Sequence, residues 1–116
     1  MLKIDKQKIY LHRDYVDFRK QINGLSMIVA NEMKMNIFDG DLFVFCCKGK
    51  DKLKIVYWKN TGFCMWQMRL EKEKFKWPIK HIDSVICWDK QYFSWLLKGM
   101  DVNKINLHKF LNYNYL

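Results

Sequence analysis

This sequence predicts an α+β domain: an antiparallel β-meander of about four to five strands packed against an N-terminal amphipathic helix, with a short C-terminal helix. Three observations predict it. Between residues 41 and 78, short apolar runs alternate four times with turn-forming residues. Ahead of them, Phe18, Ile22, Leu25, Val29 and Met33 recur at steps of four, three, four and four, which is one apolar stripe on a helix. Beyond Pro78, Tyr92, Trp95, Leu96 and Gly99 follow helical spacing more nearly than alternation.

The elements follow in order. Ile9 and Leu11 alternate with Tyr10 and His12, so residues 8–13 read as a strand able to pair with the meander. Asp14 or Asp17 is a capping residue for the helix that follows, expected over residues 17–33. Gly24 in its interior suggests a close approach to the sheet. Asp39-Gly40 carries a turn signature and delivers the chain into the meander. Its strands are expected at residues 42–46, 53–58, 63–70 and 74–77, joined by KGKDK, KNTG and EKEK. Pro78, which has no N–H to donate, closes the last of them. A helix over residues 90–98 is capped by Asp89 and ended by Gly99, and residues 102–116 form an Asn- and aromatic-rich extension.

A chain of 116 residues with half its side chains apolar fits one domain with its own core. It contains no apolar run near the roughly 18 residues of a membrane span and no signal-peptide core near its start, so a cytoplasmic protein is expected. Cys46, Cys47, Cys64 and Cys87 have neither a metal-binding nor a disulfide-framework spacing and read as reduced thiols. The formal charge of +9 is uneven. Residues 41–80 hold ten Lys and Arg against four Asp and Glu, so two thirds of the excess falls on the meander. Such a concentration suits contact with nucleic-acid phosphates. It equally suits lysines that keep an aromatic-rich sheet soluble and guard its edges.

The residues give little support to catalysis. His12, His81 and His108 are far apart in sequence and in no ligand spacing, and the five glycines make no phosphate loop. No cofactor or metal is expected. Lys48, Lys50, Lys52, Lys54, Lys59 and Arg69, interleaved with Tyr57, Trp58, Phe63 and Trp66, pair cations for phosphates with rings that can stack on bases. Aromatics on strands more often serve packing, and exposed ones would also suit a protein partner or a second copy of the chain.

Four segments carry a family resemblance: VDFRKQINGL at residues 16–25, FDGDLFVF at 38–45, KIVYWKNTGFCMWQMRLEKEKFKWP at 54–78 and LLKGMD at 96–101. In order and spacing they resemble the TnpB-type accessory protein, the second open reading frame, of the insertion-sequence sixty-six family of bacterial transposable elements. That protein is distinct from the RNA-guided nuclease sharing the TnpB name. The family's Thr-Asp-Met-Arg helix start stands here as Val16-Asp17-Phe18-Arg19. The resemblance implies a non-catalytic role in transposition beside a separate DDE-type transposase, with the transposase and DNA at the element ends as partners. It also implies a functional surface of Asp17, Arg19 and Lys20 at the helix start and Lys54, Trp58, Lys59, Arg69 and Lys76 on the meander. The alternative is a protein-interaction module that binds the transposase or itself without touching DNA.

Overall fold

The computed structural model describes residues 4–100, so the extension expected at 102–116 lies outside the described residues. Five strands form one sheet: β1 (Ile9–His12), β2 (Leu42–Cys46), β3 (Lys52–Lys59), β4 (Gly62–Arg69) and β5 (Val85–Trp88), in the order β4-β3-β2-β1-β5. Two helices, α1 (Ile22–Asn31) and α2 (Lys90–Leu97), and a 3-10 turn at Ile37–Asp39 complete it. Among the described residues, no helix is long and apolar enough to cross a membrane.

The class is α+β as expected, but the sheet is mixed and not a pure antiparallel meander. Strands β2, β3 and β4 are the meander, with Val44 opposite Ile55 and Ile55 opposite Trp66. Strand β1 instead lies parallel to β2, with Leu11 beside Val44. Parallel neighbours need a crossover, and α1 supplies it. On its other side β1 takes β5 antiparallel, with Leu11 opposite Ile86.

The fourth meander strand expected at 74–77 is not a strand. Phe75 and Trp77 are buried while Lys74 and Lys76 are exposed, which reproduces strand periodicity. Their backbone nevertheless joins no ladder: Phe75 N–H donates to the Lys50 carbonyl at 2.7 Å, and Leu70 N–H donates to that of Asp51 at 2.8 Å. The segment is an arm tied to the β2–β3 turn, and the fifth strand is drawn from VICW further on.

Alternation then builds two cores. Ile9, Leu11, Leu42, Val44, Leu53, Ile55 and Ile86 face one side, under Phe75 and Trp77 of the arm and Phe93 and Leu96 of α2. Phe43, Phe45 and Val56 face the other, under Leu25, Ile28 and Val29 of α1. Helix α2 begins as the sequence indicates, with the Asp89 carboxylate accepting from Tyr92 N–H at 2.9 Å and Gly99 at φ +76° just past its end. Helix α1 begins later than expected, at Ile22, because Asp17 instead caps a tight turn in which Lys20 N–H donates to the Asp17 carbonyl. The tightest neighbour of Gly24 is the 17–20 turn and not the sheet: a Cβ there would meet the Cβ of Lys20 at 3.2 Å.

The arm is thus a structural part of the core, although its sequence reads as a surface strand. Phe75→Ala should cost about 3–5 kcal/mol in urea unfolding, as for a buried aromatic. A loss near zero would show that the arm is only laid on the surface.

Candidate nucleic-acid interface

Strand alternation places Lys54 on the α1 side of the sheet, where it is 2% exposed. Its ammonium donates to the Phe18 carbonyl at 2.8 Å and the Lys20 carbonyl at 2.9 Å, and lies 4.9 Å from the centre of the Phe18 ring. Burial, then the nearby Lys52 charge, lowers its pKa. A lysine so placed holds the 17–20 turn against the sheet. Lys54 is therefore a correction to the expected phosphate-contacting set: its hydrogen bonds are already used inside the protein.

The same turn engages Arg19. Asp17 accepts from the Arg19 backbone N–H at 2.9 Å, and the Arg19 guanidinium reaches its carboxylate at 2.6 Å and 2.9 Å. Those side-chain bonds first, then the backbone one, hold the Asp17 carboxyl down at about 2. The exposed Arg19 charge is thus compensated locally, whereas exposed Lys20, whose charge also lies near Asp17, forms no ion pair among the described residues.

The remaining expected residues separate into two groups. Lys52 stands directly opposite Arg69 in the β3–β4 ladder, and like charges facing across a rung repel. Lys48 and Lys50 lie in the adjoining β2–β3 turn, and Lys76 lies on the arm bound to that turn. Among the described residues the ion pairs are His12–Glu32, Arg13–Asp14 and Arg19–Asp17, so none of these five cations is paired. One carboxylate intervenes: Asp51 accepts from the Cys47 thiol at 3.2 Å, and that bond, with Lys52 and Lys74 nearby, lowers its pKa.

Trp58 and Lys59 sit at the far end of β3, six and seven residues from Lys52, or roughly 20 and 24 Å at 3.4 Å per residue. Trp58 meets Phe38 edge-on at 5.0 Å and Phe63 edge-on at 4.8 Å. It packs within an aromatic cluster and does not share a surface with the basic end.

Sequence reasoning missed a cleft beside that end. Lys50 joins Lys74, Lys76, Lys80, Tyr15 and His81 around an open concavity of about 450 Å³ floored by Phe75, Trp77 and Pro78. Both ends of the arm are pinned. Lys74 donates to the Gly49 carbonyl at 2.8 Å; Trp77 Nε1 donates to that of Arg13 at 2.7 Å; and Arg13 donates to those of His81 and Ile82 at 3.1 Å and 3.2 Å. The available signal was the spacing of Lys74, Lys76 and Lys80, which marks one solvent-facing side of an extended segment.

These features define a small mixed-sheet protein with a predominantly basic end and, on the arm side of that end, a basic cleft. A family model described as IS66 Orf2 like protein matches residues 7–107, and the chain belongs to that family. Membership makes it a transposition-associated accessory protein of insertion sequences. Two relatives come from Sinorhizobium fredii (strain NBRC 101917 / NGR234). Uncharacterized protein y4jC is 34% identical over 91 residues, covering 78% of this chain and 76% of that one. Uncharacterized protein y4hO is 29% identical over 94 residues, covering 81% of each. No solved structure gives a significant match.

The two kinds of lysine should separate in stability measurements. Lys54→Ala, which removes a buried stem and two hydrogen bonds, should cost about 2–4 kcal/mol. Exposed Lys59→Ala should stay within about 0.5 kcal/mol of wild type. Equal, small effects in urea unfolding would contradict the structural role of Lys54.

Proposed function

We propose that this protein is a non-catalytic transposition factor that assists a separate transposase by holding the DNA backbone against the basic end of its sheet. The observation that carries the proposal is the Lys52–Arg69 rung: two cations face each other, neither in an ion pair among the described residues, with Lys48 and Lys50 in the adjoining turn and Asp51 the carboxylate nearest Lys52. Such a rung is electrostatically unfavourable by itself and is relieved by a polyanion. DNA phosphates supply that charge, with release of condensed counterions. Strand cleavage is left to the transposase.

A second contact is favoured by the opposite end, where Phe38 is 58% and Phe63 is 36% exposed beside Trp58. Aromatic surface of this kind suits a protein partner, and we assign it to the transposase. Co-purification with the transposase should be lost in Phe38→Ala/Phe63→Ala and kept in Lys52→Ala/Arg69→Ala. The reverse pattern would place the transposase on the basic end.

Fluorescence anisotropy against labelled element-end and scrambled duplexes, over a salt series, tests the DNA contact. Binding should weaken linearly in log–log form, and Lys52→Ala/Arg69→Ala should reduce the slope by about 2. A preference for the element end would add sequence or shape readout. Absence of binding at about 50 mM salt would remove DNA as a direct partner.

A further inference from the structure

The arm cleft differs in kind from the basic rung beside it. Lys52 and Arg69 stand on the sheet, open to a surface of any width. The cleft is a bounded concavity whose volume, about 450 Å³, is in the range of sites for small organic groups. Lysines line it, no carboxylate is among its described lining residues, and its floor is apolar. Its shape is set in advance by hydrogen bonds at both ends of the arm and by two turns inside it, Ile79 N–H to the Trp77 carbonyl at 2.8 Å and His81 N–H to that of Pro78 at 3.1 Å. A site built this way takes a ligand with an anionic part and a flat apolar part, of about the size of one nucleotide.

Two rim residues suit the flat part. Tyr15 brings an aromatic ring to the cleft, and burial raises its hydroxyl pKa. His81 Nδ1 accepts the Asp83 backbone N–H at 3.0 Å, which puts the ring proton on Nε2 as a donor. A stacked duplex keeps its bases inside and cannot offer one to such a cleft. An unpaired strand can, and base stacking on side-chain rings with phosphates on lysines is the usual chemistry of single-strand binding.

We propose that the arm cleft binds one unpaired nucleotide of a DNA strand, its phosphate on Lys50, Lys76 and Lys80 and its base against Tyr15 and His81. The proposal rests on the DNA contact argued above and deepens it. Duplex lies on the Lys52–Arg69 rung, on the α1 side of the sheet, and a strand leaving the duplex passes round the β2–β3 turn at Lys50 to enter the cleft on the arm side. The protein would thus favour DNA in which a junction separates paired from unpaired bases.

Two variants of equal charge separate the sites in the full chain. Lys76→Ala/Lys80→Ala alters the cleft, and Lys52→Ala/Arg69→Ala alters the rung; all four side chains reach solvent. The probes are a labelled oligothymidine of about 12 nucleotides and a blunt duplex, measured by anisotropy at one salt concentration. The cleft variant should lose about tenfold in single-strand affinity and about twofold for duplex, and the rung variant the reverse. His81→Ala, which removes no lysine, should weaken only the single strand. Equal losses for both probes in both variants would overturn the cleft as a distinct site while leaving the DNA contact standing. No binding of either probe by wild type would overturn both. Thymidine monophosphate should compete only weakly, because it lacks the flanking strand; competition as strong as the oligonucleotide's would make this a free-nucleotide site and overturn the proposal. Inorganic phosphate competing as well as the monophosphate would overturn the role given to the base.

Discussion

Strand β2 leaves no face for water. All five of its residues, Leu42 to Cys46, are fully buried, so both sides of the sheet must be covered. That requirement shapes the rest of the chain. One side is closed by α1, which is also the crossover that makes β1 parallel to β2. The other side is closed by α2 and by Phe75 and Trp77 of the arm. In a chain this small, every segment that covers the sheet is also a segment whose outer side is left for function. The arm shows this most clearly: its two aromatics fill the core, and the lysines between and beside them line a cleft.

The same two-sided burial explains why the basic residues of the meander do not act as one set. A lysine on β3 faces either a core or the sheet's end, according to its place in the strand. Lys54 falls under the 17–20 turn, where carbonyls and the Phe18 ring take its charge. Lys52, two residues earlier on the same side, lies beyond that cover and meets Arg69 instead. Lys59 lies past the aromatic cluster at the other end. Three lysines within eight residues thus have three roles: an internal tie, a member of a cationic rung, and a solvated side chain.

Much of the fold was legible because local signals agreed with the tertiary outcome. Strands β2, β3 and β4 lie within about a residue or so of the alternating runs, and α2 has the Asp89 cap and terminal glycine that its sequence carries. The failures came where one local pattern serves two structures. Phe75-Lys76-Trp77 alternates in the manner of a strand because one side of an extended arm is buried, and alternation cannot tell a ladder partner from a covering segment. Asp17 is a good cap, yet it caps a turn and the helix waits until Ile22. The parallel pairing of β1 with β2 joins residues more than thirty positions apart, and no periodicity records such a neighbour. Of the candidate interface, the charged residue types were legible, but their grouping was not: the burial of Lys54, the rung and the cleft all follow from pairings outside the local sequence.

The central claim is that DNA meets the end of the sheet where the β2–β3 turn, the last residues of β4 and the arm converge. Amide chemical-shift mapping of the full chain, titrated with a short duplex carrying a single-stranded overhang, tests it most directly. The claim predicts shifts confined to residues 48–52, the neighbourhood of Arg69 and residues 74–81, with Lys54 and the Phe38–Trp58–Phe63 cluster little changed. Shifts centred on that aromatic cluster or on the exposed side of α1, with the basic end silent, would contradict it.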